Sequence, residues 1–595
     1  MFVRVKSTPK SPRKSVQIVH SQRVDGKVKQ KIVKHIGVAM DDEELEELKL
    51  LANSIKIELE TKSQLPLYSA EEIELYKNEN KVDIEKDKYK KSVTTINTEK
   101  VNRKDYAVNL LDVLEEDRVI KGIHDIYGKL YDEINFKSIL PYPSKHVAAT
   151  KALKEIVLAR VANPDSKSAS VDMLASKFGV NLNLKTVYRM MDMIDDKQIK
   201  KLNTLVLNKT KSLLNNKIDV IYFDATTLYF ESFSEDIDNP DDKDEAIRKN
   251  GYSKDGKFNQ PQVVLALLVT KQGLPIGYKA FSGDTFDGHT IIPSLKEIEE
   301  DFKVDNIVYV ADAGMFNKAN LEVFDKSDNK NMTYIVGAKI KTMSKAYKEQ
   351  ILNIDDMQYI NDDTKVKTID YNGKKLLISH SKKRAKKDKF EREKAIAKLK
   401  KRLESSKSVK SQLSNNGYKK YLQLEDTSIT TTNKDKTAKK TSCDISISLN
   451  EDKIKEDEAW DGLKGIITNN TTLSSEELIH QYTNLWQVEE SFRITKHDLK
   501  IRPIYHWKPS RVKAHLAISF MAYTLVRYLE YRVKLQYKKL SPQKIRDTLL
   551  AVQTSILYDT KTNRKFYLPS KVSQDAKKIY KLMEVNVTTK PSIIK

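Results

Sequence analysis

The chain has 595 residues, a length that suggests about four domains, and its 32% charged and 39% hydrophobic residues are a balance typical of soluble globular proteins. Its 106 Lys and Arg residues outnumber the 83 Asp and Glu residues, and the formal net charge of +23 indicates a polyanionic partner. The single cysteine, Cys443, excludes an internal disulfide and a Cys-rich zinc site. The longest apolar run, over 516–526, is shorter than the roughly 20 residues of a membrane span, and the N-terminus lacks an apolar secretion signal. We therefore expect a cytosolic protein without a membrane partner.

The first 40 residues alternate apolar and basic side chains, in the stretches FVRVK, VQIVHSQRV and KVKQKIVKHIG. A period of two predicts β-strands, and Asp25-Gly26 predicts a hairpin turn. We predict an N-terminal β-ribbon and helix over 1–60, followed by a charge-rich connector over 61–104.

Residues 105–208 have the apolar periodicity of helices, and we predict that they form a helical DNA-binding region. Two short helices are predicted around the turn KFGVNLN. This spacing suits a helix-turn-helix, whose second helix would present Lys185 and Arg189 to a DNA groove. An ordinary helical hairpin explains the same spacing equally well.

From residue 215 the pattern changes to short apolar strands that alternate with helices. The predicted strands are KIDVIYFDATTLYFES, PQVVLALLVT, LPIGYKAFSG, NIVYVADAG and TYIVGAKI. The predicted helices lie over 287–301 and in NKANLEVF. The order β-β-β-α-β-α-β predicts an α/β core with a mixed five-stranded sheet, whose first half occupies 215–342.

Residues 343–475 interrupt this alternation. They contain a hairpin turn at Asn372-Gly373, a basic amphipathic helix and further strands such as CDISISL, and we predict a β-rich insertion. Helices resume over 476–550, which we predict to be the last part of the core. For residues 551–595 we predict a helical tail with a loose end.

Three acidic residues are candidates for metal binding. Asp224 lies within the strand IYFDAT, where a carboxylate among apolar neighbours is costly unless it is paired or binds a metal. Asp312 ends the strand YVADAG, at the edge where open α/β sheets bind ligands, although it could instead cap the next helix. Glu489 lies on a predicted helix and could also be a surface residue. Three converging carboxylates would suit two Mg²⁺ ions for phosphodiester chemistry.

The helix that carries Glu489 has a distinctive stripe. Tyr482, Glu489 and Lys496 are spaced by seven residues, so they share one helix face. Arg493 lies next to Glu489, whereas Glu490 lies about 100° around the helix and is the weaker alternative. A hydroxyl and cations beside a metal-binding carboxylate suit the phosphates of a DNA end.

The strand YFDAT, the strand end ADAG and the helix pattern Y-x(6)-E-x(6)-K resemble the DDE transposases of bacterial insertion sequences. The similarity is to the IS-four superfamily branch, whose last motif is called YREK and whose catalytic domain carries a β-rich insertion. Further support comes from LPIGYKAFSGDT, DGLKGIITN and QVEESFRITKHDLKIRPIYH, so the resemblance covers roughly residues 145–535.

This resemblance implies an RNase H-like catalytic core that cuts transposon ends and joins the freed 3′ ends to target DNA. It assigns the catalytic and metal-binding roles to Asp224, Asp312 and Glu489, with two Mg²⁺ ions per site, or Mn²⁺ in their place. The implied partners are double-stranded DNA, as terminal inverted repeats and target, and a second copy of the chain in the DNA complex. The implied location is the bacterial cytoplasm, at the nucleoid.

The resemblance also implies residues that contact DNA. Tyr482 and Lys496 would lie near the DNA end, but the motif's Arg is replaced by Leu485, which leaves Arg493 as the alternative phosphate contact. Related enzymes can stack a flipped base on a tryptophan, for which Trp460 and Trp486 are candidates, although either could belong to the core.

Two other functions remain possible from the sequence. An inactive DNA-binding protein derived from a transposase would keep the basic surface, and a Mg²⁺-dependent nuclease would cut DNA without strand transfer.

Overall fold

The structure is a computed structural model that describes a large part of the chain. The described residues are 2–7, 14–24, 27–39, single positions within 42–56, 108–237, 245–253, 256–294, 307–314, 332–405, 419–428, 443–537 and 540–594. The predicted turn at Asp25-Gly26, the connector 61–104, the helix NKANLEVF and the second half of the helix over 287–301 lie outside them. Internal contacts divide the chain into a first unit, Met1–Val304 with Trp486–Lys595, and a second unit, Asp305–Leu485.

The described strands and helices are as follows. The strands are β1 (Phe2–Ser7), β2 (Lys14–Val24), β3 (Lys27–Ala39), β4 (Val113–Ile120), β5 (Val220–Tyr229), β6 (Gln262–Thr270), β7 (Pro275–Ser282), β8 (Ile307–Ala311), β9 (Met332–Ala338), β10 (Gln358–Tyr359), β11 (Thr364–Tyr371), β12 (Lys374–Ser381), β13 (Leu422–Ser428), β14 (Cys443–Leu449), β15 (Leu463–Thr468), β16 (Gln553–Asp559), β17 (Arg564–Pro569) and β18 (Ser592–Ile593). The α-helices are α1 (Gly122–Ile134), α2 (Val147–Ala162), α3 (Lys167–Phe178), α4 (Leu184–Met191), α5 (Asp196–Leu213), α6 (Lys345–Leu352), α7 (Lys382–Ser405), α8 (Glu451–Glu458), α9 (Ser475–Thr483), α10 (Trp486–Arg493), α11 (Pro509–Gln536), α12 (Pro542–Leu550) and α13 (Gln574–Leu582).

The N-terminal strands form the predicted ribbon. β1, β2 and β3 make an antiparallel sheet with β2 in the centre. Val16, Ile18 and Ile36 are fully buried, whereas Lys6, His20 and His35 lie at the surface. The period of two in the sequence therefore predicts these strands correctly, and the strands carry both buried apolar and exposed basic side chains.

The first unit also contains the three antiparallel strands at the start of the predicted core. β6 lies between β5 and β7 and is buried along its whole length, as expected for a strand without polar residues in its interior. Helices α5 and α11 pack against β7, and α10 packs against β5 and β6. These contacts place α10 beside the strand that carries Asp224.

Two segments of the first unit differ from the prediction. β4 is a strand inside the region predicted to be helical, and the predicted helical tail 551–595 contains β16, β17 and β18, with α13 as its helix. These four strands form one antiparallel sheet in which β16 pairs with β4. The sheet joins segments from distant parts of the chain, and local periodicity cannot reveal such a pairing.

The second unit contains a mixed sheet in the order β10-β11-β12-β15-β9-β8. Its strands are antiparallel except for the parallel pair β8 and β9. Two strands of the predicted insertion, β11 and β12, belong to this sheet, while β13 and β14 form a separate hairpin. All five predicted core strands are present, and the mixed α/β architecture is consistent with an RNase H-like core.

Candidate active site

Asp224 lies in the middle of β5. It is half-buried, whereas its neighbours on the strand from Val220 to Leu228 are buried, and it pairs with Leu267 on β6. Its Oδ1 accepts a hydrogen bond of 2.8 Å from the backbone N–H of Ala225. The strand therefore holds a carboxylate at a fixed position in an otherwise apolar sheet, as the sequence predicts.

Glu489 lies in the first turn of α10 and is exposed. No ion pair joins it to any other residue that the structure describes. The neighbouring Glu490 differs, because it accepts two hydrogen bonds from the Arg493 guanidinium, at 2.8 Å and 2.7 Å. Glu489 is thus the acidic residue of α10 that has no cation bound to it.

Arg493 is engaged within its own helix region. The Glu490 carboxylate, and more weakly Asp498 at 3.7 Å, hold the pKa of Arg493 above its usual value. Its side chain is still 48% exposed, so part of the guanidinium remains accessible to solvent. A phosphate contact by Arg493 would compete with Glu490.

Asp312 and Tyr482 meet in the second unit. Asp312 directly follows β8 and is exposed, and the hydroxyl of Tyr482 donates a hydrogen bond of 3.3 Å to its Oδ1. Tyr482 is only 7% exposed, and Lys464 Nζ lies 4.5 Å from the centroid of its ring. The ring also fills the space above Gly337 on β9, where an added Cβ would lie 2.2 Å from the tyrosine oxygen. Tyr482 is therefore packed against the sheet, with its hydroxyl on Asp312.

The other residues predicted to bind DNA have different surroundings. Lys185 and Arg189 are exposed on α4, which begins at the cap Asn183 after a turn that starts with Gly179 in the left-handed conformation (φ 65°). Lys496 lies half-buried in a π-helical turn that follows α10. Leu485, which replaces the motif's Arg, is 9% exposed and belongs to the core.

The three tryptophans differ in exposure. Trp460 is 7% exposed, which favours the alternative of core packing over base stacking. Trp486 is 45% exposed at the start of α10. Trp507 is 58% exposed, and the sequence pattern did not single it out because it lies in an irregular segment between two helices.

Neither a ready-made metal-binding cluster nor a membrane-spanning helix occurs in the described part of the chain. No group of three or more His, Cys, Asp or Glu side chains among these residues is arranged to hold a metal ion. No helix in the same ranges combines the length and the apolar character needed to cross a membrane.

Comparisons with known proteins identify the family. Residues 215–525 match the transposase DDE domain, and residues 2–65 match the N-terminal domain of IS1634 family transposases. No curated protein matches the chain. DDE transposases act on DNA and generally use divalent metal ions. Since the DDE domain match covers more than half of the chain, the protein belongs to the DDE transposases of insertion sequences.

Proposed function

We propose that the protein cuts DNA at the terminal inverted repeats of an insertion sequence and joins the freed 3′ ends to target DNA. The observation that carries the proposal is the match of residues 215–525 to the transposase DDE domain, a range that includes all three predicted carboxylates. The match of residues 2–65 to a transposase N-terminal domain supports the same function.

Asp224, Asp312 and Glu489 are the proposed metal ligands. Carboxylate oxygens are the donors that Mg²⁺ and Mn²⁺ prefer, and Glu489 has no cation among the described residues that would have to be displaced. A pair of bound ions supplies charge that activates an attacking oxygen and stabilises a leaving oxygen. The chemistry of these three side chains fits such a pair.

The protein's own residues orient these carboxylates. β5 holds Asp224 within a sheet, and α10 packs on the same strand and carries Glu489. The Tyr482 hydroxyl donates to Asp312 and restricts the rotation of that carboxylate. Ligands on rigid elements keep the geometry that a catalytic site needs.

DNA recognition is assigned to the basic surfaces of the first unit. Lys185 and Arg189 lie one helical turn apart on the exposed side of α4, where they can contact phosphates or base edges. The N-terminal ribbon is a second candidate surface, on which Lys6, His20 and His35 are exposed, and Lys496 follows the helix of Glu489. Cutting two ends together would require at least two copies of the chain on the DNA.

A strand-transfer assay tests the function. Purified protein is given a labelled duplex that carries the end of its own element, a target plasmid and Mg²⁺ or Mn²⁺. Joined product supports transposition, cutting without joining supports the nuclease, and binding alone supports the inactive DNA-binding protein.

A matched pair of variants tests the catalytic assignment. Asp224→Asn keeps the shape of the side chain but removes its charge, so we expect cutting and joining to be lost while end binding is retained. The control Asp219→Asn changes an exposed carboxylate just before β5, and Oδ2 of this carboxylate lies 3.5 Å from Lys271 Nζ. This control variant should keep both cutting and joining. Joining by Asp224→Asn above background would refute the assignment.

A further inference from the structure

The predicted β-rich insertion contains a long helix with a strong positive charge. This helix, α7 (Lys382–Ser405), directly follows β12 in the second unit. Its stretch 382–401 contains eleven Lys and Arg residues and three Asp and Glu residues, which gives a net charge of +8. The cutting and joining roles proposed for the protein do not use this charge.

One side of α7 is fixed against the rest of the second unit. A stripe of buried and half-buried residues recurs every three or four positions, at Ala385, Asp388, Arg392, Ala395 and Leu399. Arg392 is 8% exposed and forms ion pairs with Asp461 and, at 3.5 Å, with Glu458. The Asp388 carboxylate accepts a hydrogen bond of 3.1 Å from the backbone N–H of Gly462. The packed stripe therefore holds the helix in one orientation and leaves the opposite side to solvent.

The outer side of α7 carries unpaired lysines around Phe390, which is 63% exposed. Six exposed lysines lie within about 80° of Phe390 around the helix and have no ion pair with any residue that the structure describes. They are Lys383, Lys386, Lys394, Lys398, Lys400 and Lys401. Lys387 and Lys389 do not belong to this set, because a glutamate lies 3.8 Å and 4.0 Å from them, respectively.

A row of unpaired lysines suits the phosphates of duplex DNA. From Lys383 to Lys401 the helix rises about 27 Å, more than the roughly 12 Å width of the major groove, so it can reach the phosphates on both sides of that groove. A membrane surface fits less well, because it requires an apolar face. The apolar side of α7 is packed inside the second unit, and Phe390 is the only aromatic residue in the stretch 382–401.

The residue types on the outer side do not suit the reading of base sequence. Arg, Asn and Gln carry planar groups that can bind two atoms of one base, whereas lysine acts as a point charge on phosphates. The stretch 382–401 contains no Asn or Gln, and Arg384 and Arg392 are both paired with acidic residues. Such a surface binds duplexes of any sequence. Of the two DNA molecules that a transposase joins, the end has a fixed sequence and the target varies.

The sheet of the second unit places the start of α7 at the edge that carries Asp312. β15 is antiparallel to both β12 and β9, and β9 is parallel to β8, so β12 and β8 run in the same direction. α7 begins directly after β12, and Asp312 directly follows β8. Three strand spacings, or about 14 Å, separate these two strands. The first turn of α7 and a proposed metal ligand therefore share one sheet edge.

We propose that the exposed lysines of α7 bind the phosphates of target DNA, as a duplex of arbitrary sequence. The proposal rests on the proposed function, because only a strand-transferring enzyme needs a second duplex beside the end that it cuts. This surface is additional to α4 and the N-terminal ribbon, to which recognition of the end is assigned.

A triple substitution on the outer side of α7 tests the proposal. Lys386, Lys394 and Lys401 are replaced by alanine, which suits exposed helix positions. Binding of a scrambled duplex of about 30 bp by the full chain is titrated by anisotropy from about 50 to 200 mM salt. We expect roughly tenfold weaker binding and a salt slope smaller by up to about 2.7, because three phosphate contacts are lost.

Lys571, Lys577 and Lys581 provide the matched control. They are exposed, lie on or just before α13 and have no ion pair with a described residue, so their replacement by alanine removes the same charge. The control variant should bind the scrambled duplex almost as tightly as the parent. Equal losses of affinity in the two triple variants would overturn the proposal, because net charge alone would then explain the binding.

Two further measurements distinguish the target from the end. Binding of the labelled end is measured with excess scrambled DNA, so that only sequence-specific binding is detected, and joining of a pre-cut end is measured against the concentration of target plasmid. The α7 variant should bind the end like the parent and should need roughly tenfold more plasmid for half-maximal joining. Weaker specific binding of the end, or an unchanged plasmid requirement, would overturn the proposal.

Chemical labelling gives a measurement on the unaltered protein. The parent is treated with an amine-acetylating reagent, with and without the scrambled duplex, and the acetylated sites are quantified by mass spectrometry. The duplex should protect the three substituted lysines of α7 more than the three control lysines, and equal protection would overturn the proposal. Phosphatidylglycerol vesicles that protect the α7 lysines when the duplex does not would overturn it in favour of a membrane surface.

The outcomes also separate this inference from the proposed function. Joining by the parent, together with an α7 variant that behaves like the parent, would refute the target surface alone. Duplex binding that depends on the α7 lysines, without any cutting or joining by the parent, would support the duplex-binding surface and refute the transposase activity.

Discussion

The hydroxyl of Tyr482 donates a hydrogen bond to Asp312. Removing this hydroxyl tests whether Tyr482 positions the Asp312 carboxylate or contacts the DNA end. In Tyr482→Phe the ring remains but the hydrogen bond of 3.3 Å is lost. If Tyr482 positions the carboxylate, we expect the cutting rate at saturating DNA to fall roughly tenfold, as for a hydrogen bond of about 1.5 kcal/mol to a charged group. Binding of the DNA end should not change, because Tyr482 is 7% exposed.

Rate and affinity are therefore measured separately, by single-turnover cutting and by equilibrium binding. The resemblance to other transposases predicts instead that Tyr482 lies near the DNA end. Weaker end binding with an unchanged rate at saturation would support that prediction and would contradict the positioning role.

Gly337 offers a second way to disturb the same tyrosine. In Gly337→Ala the new Cβ would lie 2.2 Å from the Tyr482 oxygen and 3.1 Å from the backbone nitrogen of Ala313, so the ring or the strand must move. Overpacking of this kind costs roughly 1–3 kcal/mol, and we expect both the cutting rate and the melting temperature to fall. Gly128→Ala is the control, because its nearest heavy atom would be 3.5 Å away and alanine suits the middle of α1. Equal stability of the two variants would contradict the close packing of Tyr482 above Gly337.

Helices α2, α3 and α11 enclose a group of basic side chains. Lys167 Nζ lies 3.3 Å from His515 Nδ1, and His515 Nε2 lies 2.9 Å from the carbonyl oxygen of Ile501. Burial lowers the pKa of both Lys167 and His515 well below their usual values, and nearby Arg160 lowers them further. A neutral His515 that donates from Nε2 can accept a hydrogen bond from Lys167 at Nδ1.

His506, next to this group, gives a prediction about pH. Burial first, and then the charges of Lys167, Arg511 and Arg160, lower its pKa to about 4, while Asp192 acts in the opposite direction. Between pH 6.5 and 4 the unfolded chain therefore binds more protons at this position than the folded chain, so acid destabilises the fold in this window. Acidification from pH 7 to 5 should cost at most about 2 kcal/mol through His506.

The measurement is the melting temperature of the parent and of His506→Gln at pH 7 and pH 5. The parent should lose more stability than the variant, which has no proton to bind at this position. Parallel losses would mean that His506 titrates normally in the folded protein.

The elements predicted correctly are those specified by neighbouring residues. Asn372 and Gly373 have φ values of 54° and 76°, as a two-residue hairpin turn requires. The strand β5 contains Asp224, and β8 ends just before Asp312, as the sequence pattern predicts. The pairing of β16 with β4 and the hydrogen bond from Tyr482 to Asp312 depend on distant parts of the chain, so periodicity could not predict them. Trp507 was not singled out because it lies in an irregular segment, and its contact with Arg248 joins distant parts of the chain.

The net charge of +23 predicts a strong dependence of DNA affinity on salt. Each phosphate that a Lys or Arg neutralises releases counterions and adds about 0.9 to the slope of log K against log salt concentration. The total charge does not tell which basic residues make these contacts, because solvated lysines on other faces contribute to it equally.

The salt slope can locate the contacts on α4. Lys185→Ala with Arg189→Ala removes two exposed cations that lie four residues apart, and we expect weaker binding and a slope smaller by up to about 1.8. Lys577→Ala with Lys581→Ala is the matched control, because these exposed lysines have the same spacing on α13 and the same charge. The comparison is made by titrating the element's end from about 50 to 200 mM salt. Equal changes of the salt slope in the two double variants would show that only net charge matters and that α4 is an ordinary helix of a helical hairpin. A change of the slope in the Lys185 and Arg189 variant alone would place α4 on the DNA.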